Sequence, residues 1–199
     1  MIQREHDEQR LNIFLTGVVR TGKTTALNAA LSLLKPQRIS GFRTVKEPSA
    51  IPQAIGEVYI VPSDGAAALD RDHLVGIRWG DGAFSAFPGA FEAGGCAILE
   101  AVPCTADLIL MDELGVMEQQ ARRFCAAVLA LLEGGIPVLG VIKPLRSPLL
   151  DAVRSHAKTT VIELNEGNRD SLPELIASLL RPQLAVRHQA YDSLSVPKR

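Results

Sequence analysis

Residues 17–24 carry the clearest chemical signature in this chain. Gly17-Val18-Val19-Arg20-Thr21-Gly22-Lys23-Thr24 fits the pattern G-x-x-x-x-G-K-[ST] at every fixed position. Each fixed type has a task at a polyphosphate. Glycines let the backbone curl closely around phosphate oxygens with its amides turned inward. Lys23 adds a point charge on the β and γ phosphates, and the Thr24 hydroxyl is a hard oxygen donor for Mg²⁺. A helix opening at Thr25 would aim its positive dipole end at the same anion. The expected nucleotide-binding set is therefore Gly17, Val18, Val19, Arg20, Thr21, Gly22, Lys23, Thr24 and Thr25. The Arg20 side chain is open to two readings, a contact with the γ-phosphate or a solvent-facing cation.

A second chemical segment follows about ninety residues later. Leu108-Ile109-Leu110-Met111-Asp112-Glu113 is an apolar run ending in two acids. Such a strand delivers Asp112 to the carboxyl edge of a sheet, where ligands of α/β folds bind. Asp112 would then hold Mg²⁺ together with Thr24. Glu113 would polarise an attacking water, with Lys23 as its catalytic partner on the phosphates. Two acids at a strand end also serve as a solvated cap; their pairing with the phosphate loop is what favours chemistry.

Both segments must be carried to one edge of a sheet. Leu11 to Thr16 reads as a buried strand. Thr25 to Leu34 reads as a helix stopped by Lys35-Pro36. Residues 37–87 read as a β-rich insertion in which RISGFRTVKE and GEVYIVPSD form a hairpin or small antiparallel unit. IRWGDGAFSAFPG, with three glycines and a proline, reads as loop, and Phe91 to Val102 as helix in spite of Gly94-Gly95. Beyond the acidic strand, Glu118 to Glu133 predicts a helix ended by Gly134-Gly135. IPVLGVI predicts a strand, Ser147 to His156 a short helix and TTVIEL a further strand. A last helix, capped at Asp170-Ser171 with Pro173 in its first turn, runs to Leu180. Residues 1–10 read as a polar leader and 181–199 as a frayed tail, all within one domain spanning 1–199. Strand–helix alternation predicts an α/β protein with a parallel sheet covered on both faces.

Bulk composition narrows the function classes. Apolar residues make up 47% of the 199, and the formal net charge is -1. That balance argues for an ordinary globular protein and gives no general electrostatic ground for duplex nucleic acid. No apolar run reaches membrane-spanning length, and the N-terminus lacks a signal-peptide core, so a cytoplasmic protein without membrane contact is expected. Cys96, Cys104 and Cys125 have neither CxxC nor zinc-finger spacing and read as reduced cysteines.

With both motifs in view, the chain resembles the P-loop nucleoside-triphosphatase family that includes the thermophile NTPases and the human cancer-related nucleoside triphosphatase. The stretches that carry the resemblance are GVVRTGKTT at 17–25, GFRT at 41–44, MDELGVME at 111–118, PVLGVI at 137–142 and NRDSLPELI at 168–176. The resemblance implies a RecA-like parallel sheet with helices on both sides and Mg²⁺-dependent hydrolysis of nucleoside triphosphates, ATP or GTP, to diphosphate and phosphate, with broad base specificity. By motif match it carries over Gly17, Gly22, Lys23, Thr24, Asp112 and Glu113. Glu118 closes the second motif, and Asn168 and Asp170 would contact the base or ribose. The chain departs from the family where acids and an arginine usually follow GF-x-T; here stand Val45, Lys46, Glu47 and Pro48. It departs again at Lys143-Pro144, where a His or small polar residue is usual, and in the Gly- and aromatic-rich stretch 78–95.

Some residues admit two readings. Lys143 and Arg146 follow a strand at the ligand edge and would either stabilise developing charge or solvate the surface. Trp79, Phe84, Phe87 and Phe91 would stack a base or pack beneath a loop. His6, His73, His156 and His188 share no ligand spacing. Two functional alternatives to hydrolysis also stand: a small-molecule or nucleoside kinase, and a nucleotide-gated module acting on an unknown protein partner.

Overall fold

The computed structural model describes residues 11–65 and 69–195; the leader at 1–10 and the last four residues lie outside that range. Among the described residues, eight strands form one mixed sheet in the order β5-β4-β3-β2-β6-β7-β1-β8. β1 (Asn12–Thr16), β6 (Leu108–Leu114), β7 (Val138–Ile142) and β8 (Thr159–Glu163) are parallel neighbours of one another, and β2 (Ile39–Glu47) joins them alongside β6. β2 is thus a core strand as well as the start of the hairpin. Its other edge pairs antiparallel with β3 (Ala54–Pro62), followed by β4 (Leu74–Trp79) and β5 (Phe84–Ala86). The antiparallel unit read from the sequence therefore extends the main sheet.

Both faces of the parallel strands are covered because both sets of alternating side chains are apolar. Ile13, Leu15, Leu108, Leu110, Leu139 and Val141 face one way, onto α1 (Lys23–Leu34) and α5 (Leu172–Ser195). Phe14, Ile109, Met111, Val138 and Ile142 face the other. There they meet α3 (Arg122–Glu133), α4 (Pro148–Ser155) and a helical segment, α2, made of Pro88–Ala90, a π turn at Phe91–Gly95 and Cys96–Glu100. Ser147 caps α4, its Oγ accepting from the Leu150 amide at 3.2 Å.

Three expectations are corrected. The stretch read as loop holds the end of β4 and all of β5, joined by a tight turn in which the Trp79 amide donates to Ala83 O at 2.9 Å. The third helix starts at Arg122 instead of Glu118, because Glu118 is buried in the preceding turn, where its carboxylate accepts from the Gly115 amide. Residues 181–195 are helical, not frayed: α5 continues through Pro182, buries Leu184, and sends Arg187 to the carbonyls of Cys104, Ala106 and Gly135 at 2.6, 2.8 and 3.2 Å. Among the described residues, no helix is long and apolar enough to cross a membrane.

Candidate active site

The loop between β1 and α1 folds as its glycines require. Gly17 has φ 139°, and a Cβ there would lie 2.6 Å from Leu164 O beyond β8, so both the backbone angle and the close approach exclude a side chain. Gly22 stands at the N-cap of α1 with φ 93°. No side chain caps this helix and its first turn holds no acid. The orphan amides and the positive dipole end therefore face the loop, as an anion site demands. Arg20 also takes a left-handed conformation, φ 68°, at the loop apex. Lys23 Nζ donates to Gly17 O at 2.8 Å and Val18 O at 2.7 Å, which holds its head inside the loop. Burial lowers the Lys23 pKa, opposed by the nearby charges of Glu113 and Asp112.

The acidic strand reaches the same place. β7 lies between β1 and β6, so the carboxyl ends of all three point to one sheet edge. The register of β6 on β7 shifts between Asp112 and Leu114. Glu113 lines a cleft of about 390 Å³ together with Gly17, Gly22, Lys23, Thr24, Lys46 and Lys143. Asp112 is buried behind it, one residue before Glu113 on β6. Burial raises the Asp112 pKa; Arg43 pulls it down, and Glu113 pushes it up again.

Residues without an assigned role complete the site. Arg43 stands opposite Asp112 in the β2–β6 register, its guanidinium 3.4 Å from Oδ2, and is held by Asn28 Oδ1 at 2.9 Å. Lys46, two strand positions beyond Thr44, lines the cleft. Lys143, left open on sequence grounds, also lines it and pairs with Glu113 at 3.4 Å. Arg146 instead turns outward to Asp151 with 84% of its side chain exposed. Glu118 supports the turn after the acids from within the core; burial raises its pKa against the pull of the Gly115 amide.

Beside the phosphate loop lies a second depression of about 490 Å³ formed by Arg20, Gly22, Thr25, Ala29, Arg169, Asp170 and Pro173. Asn168 serves the turn beneath it. Its Oδ1 accepts from the Asn165 amide at 2.9 Å, and its Nδ2 donates to Glu163 O at 2.8 Å. The aromatic group does not gather at the cleft. Phe91 is buried in the core against Phe124, ring centroids 5.1 Å apart, and Trp79 Nε1 donates to Ser85 Oγ at 2.9 Å across the β4–β5 turn.

A glycine loop at a helix N-terminus, a lysine within it and acids on a nearby strand end define a P-loop nucleotide-binding protein of the α/β class. The family model described as NTPase matches residues 12–177. The chain belongs to this family. It is 30% identical to the nucleoside-triphosphatase THEP1 of Thermotoga maritima over 171 residues, 86% of this chain and 96% of that one. It is also 30% identical to the THEP1 of Methanosarcina barkeri over 174 residues, 86% of this chain and 98% of the relative. In fold it is similar to the crystal structure of THEP1 from Aquifex aeolicus, with TM-score 0.62, 24% identity and coverage of 85% and 98%. It is likewise similar to the solution structure of a human cancer-related nucleoside triphosphatase, with TM-score 0.61, 23% identity and coverage of 86% and 97%.

Proposed function

We propose that this chain is a Mg²⁺-dependent nucleoside triphosphatase that releases nucleoside diphosphate and phosphate with little regard for the base. The observation that carries the reading is the meeting of Lys23, Thr24 and Glu113 in one cleft, with Asp112 buried one residue before Glu113 on β6. The relatives named nucleoside-triphosphatase support the same activity.

The donor set suits magnesium. A hydroxyl and a carboxylate are hard oxygen ligands, and Mg²⁺ takes one or two from a protein while sharing phosphate oxygens and water. Among the described residues no group of three or more His, Cys, Asp or Glu forms an all-protein cage. Burial disfavours the charge on Asp112, a cost that a divalent cation offsets. When bound, Mg²⁺ supplies charge neutralisation on the β and γ oxygens. The loop amides and Lys23 hold the phosphates. Glu113 orients a water and accepts its proton as the oxygen attacks the γ-phosphorus. The bond to the β–γ bridging oxygen then breaks, and diphosphate departs.

Tolerance of the base follows from the neighbouring depression. Ala26, Ala29 and Pro173 give it apolar walls, and Arg169 offers a planar cation. A site of this kind holds a purine or pyrimidine by stacking and does not reject one for lack of a matching hydrogen bond. Asp170 would accept from the ribose hydroxyls, with Asn168 fixing its turn. Free thiols at Cys96, Cys104 and Cys125 suit a reducing compartment, which supports a cytoplasmic setting.

Phosphate release from ATP, GTP, CTP and UTP, with Mg²⁺ and with EDTA, tests the proposal. Expected is acceptor-independent release from all four, within roughly tenfold of one another, abolished by EDTA. Transfer confined to added acceptors, or no release from any nucleotide, would overturn it.

A further inference from the structure

The cleft sets a carboxylate beside the place of a triphosphate. Glu113 and the γ-phosphate are both anions, so a base at this position needs a cation to screen the two from each other. Lys23 is held inside the loop by two carbonyls. Lys143 is the cation that touches Glu113, its Nζ 3.4 Å from Oε1.

Three features show that Lys143 is placed rather than incidental. Its amide donates to Leu114 O at 2.9 Å, and its carbonyl accepts from Arg154 at 2.8 Å, so its backbone is pinned on both sides. Its stem runs across Gly115, where a Cβ would stand 3.1 Å from Lys143 Cδ and 3.4 Å from Cε. Its head lies in the cleft shared with Lys23 and the loop glycines. A lysine head is a compact charge with three donors on a flexible stem, so it can keep Glu113 and reach a phosphate oxygen as well. Resting on the hydrolase reading above, we propose that Lys143 is a second catalytic cation of this site. It bridges Glu113 and the γ-phosphate and takes up the charge that develops as the phosphoryl group passes to water. No cofactor beyond the magnesium of the hydrolysis is needed. The water proton goes to Glu113, and the electron pair of the broken bond stays on the diphosphate.

The test compares kcat and KM for MgATP in the parent, Lys143→Ala, Lys143→Arg, Gly115→Ala and Arg146→Ala, with thermal melting of each. Lys143→Ala is expected to lower kcat about a hundredfold with KM within roughly threefold. Its affinity for ADP with aluminium fluoride should fall in parallel, while its affinity for ADP stays level. Lys143→Arg should restore much of kcat. Gly115→Ala, which crowds the stem and keeps the charge, should show a smaller loss of the same kind. Arg146→Ala, on the same loop but turned to Asp151, should match the parent. A parent that hydrolyses MgATP while Lys143→Ala keeps its kcat, gains activity, or loses only KM would overturn the role of Lys143. A parent that releases no phosphate from any nucleotide would reject the hydrolase reading instead.

Discussion

Arg43 and Asp112 stand side by side on neighbouring parallel strands, with the guanidinium 3.4 Å from the carboxylate. Burial opposes the charge on Asp112, and the Arg43 guanidinium compensates it. Removing Arg43 leaves that charge with less compensation. Arg43→Ala should lower the stability of the free protein by about 1–3 kcal/mol. Asp112→Asn should be neutral or stabilising and should largely cancel the cost of Arg43→Ala in the double variant. Urea unfolding of the four proteins, without nucleotide or metal, gives the coupling directly.

Lys23 bridges two loop carbonyls and faces the cleft. Lys23→Ala should keep the fold, with stability within about 1 kcal/mol of the parent. Its affinity for MgATP should drop at least roughly a hundredfold, the scale of a charge-assisted contact with phosphate. Titration calorimetry with MgATP measures this; retained affinity would refute the loop assignment.

Asp107, at the foot of β6, ties three elements together. It accepts from the amides of Gln37 and Arg38 at 3.0 and 2.9 Å, from the Arg38 guanidinium at 2.6 Å, and lies 3.1 Å from His188 Nε2 on α5. Burial pushes its pKa up, but the hydrogen bonds from Arg38 and the neighbouring His188 outweigh burial and leave it lowered. A carboxylate lowered on folding stabilises the native state above its unfolded pKa of about 3.9. That contribution fades as pH falls through the lower folded value. Asp107→Asn should therefore cost about 3 kcal/mol near neutral pH. It should also flatten the acid limb of stability below about pH 4. Unfolding free energies of the two proteins from pH 7 downward test both statements.

The same corner explains why the end of the chain was misread from its sequence. Pro182 and the polar residues around it suggest fraying, but Leu180, Leu184 and His188 repeat every four residues and extend one helix face. Leu184 is buried and Arg187 meets three carbonyls. Leu184→Ala should cost about 2–4 kcal/mol, as for other core leucines. A tail without contacts would show no change in melting temperature.

What was legible follows the range of the physics. The phosphate loop is written in eight adjacent residues, and its glycines stand where left-handed angles and close backbone approach require them. The apolar runs of β1, β6 and β7 fall close to their expected spans, because strands buried on both faces leave little room for polar residues. Arg43 and Lys46 carry no local signal of a role, since their place depends on the pairing of β2 with β6 across 69 residues. Lys143 reads two ways in the sequence because its meeting with Glu113 depends on the pairing of β6 with β7. The β4–β5 turn had a local signal, Asp81-Gly82 between apolar runs, which the count of glycines obscured. Glu118 was expected inside a helix because its position fits the helical pattern; only the fold shows that its carboxylate is taken by Gly115.

On the proposed mechanism, Glu113 turns bound nucleotide over to water. Glu113→Gln keeps the size of the side chain and removes its basicity. With MgATP in a single-turnover assay, binding should stay within about threefold of the parent. The rate of phosphate release should be lower by on the order of a hundredfold to ten-thousandfold, the range for a general base. Release at the parental rate from Glu113→Gln would rule out this role for Glu113.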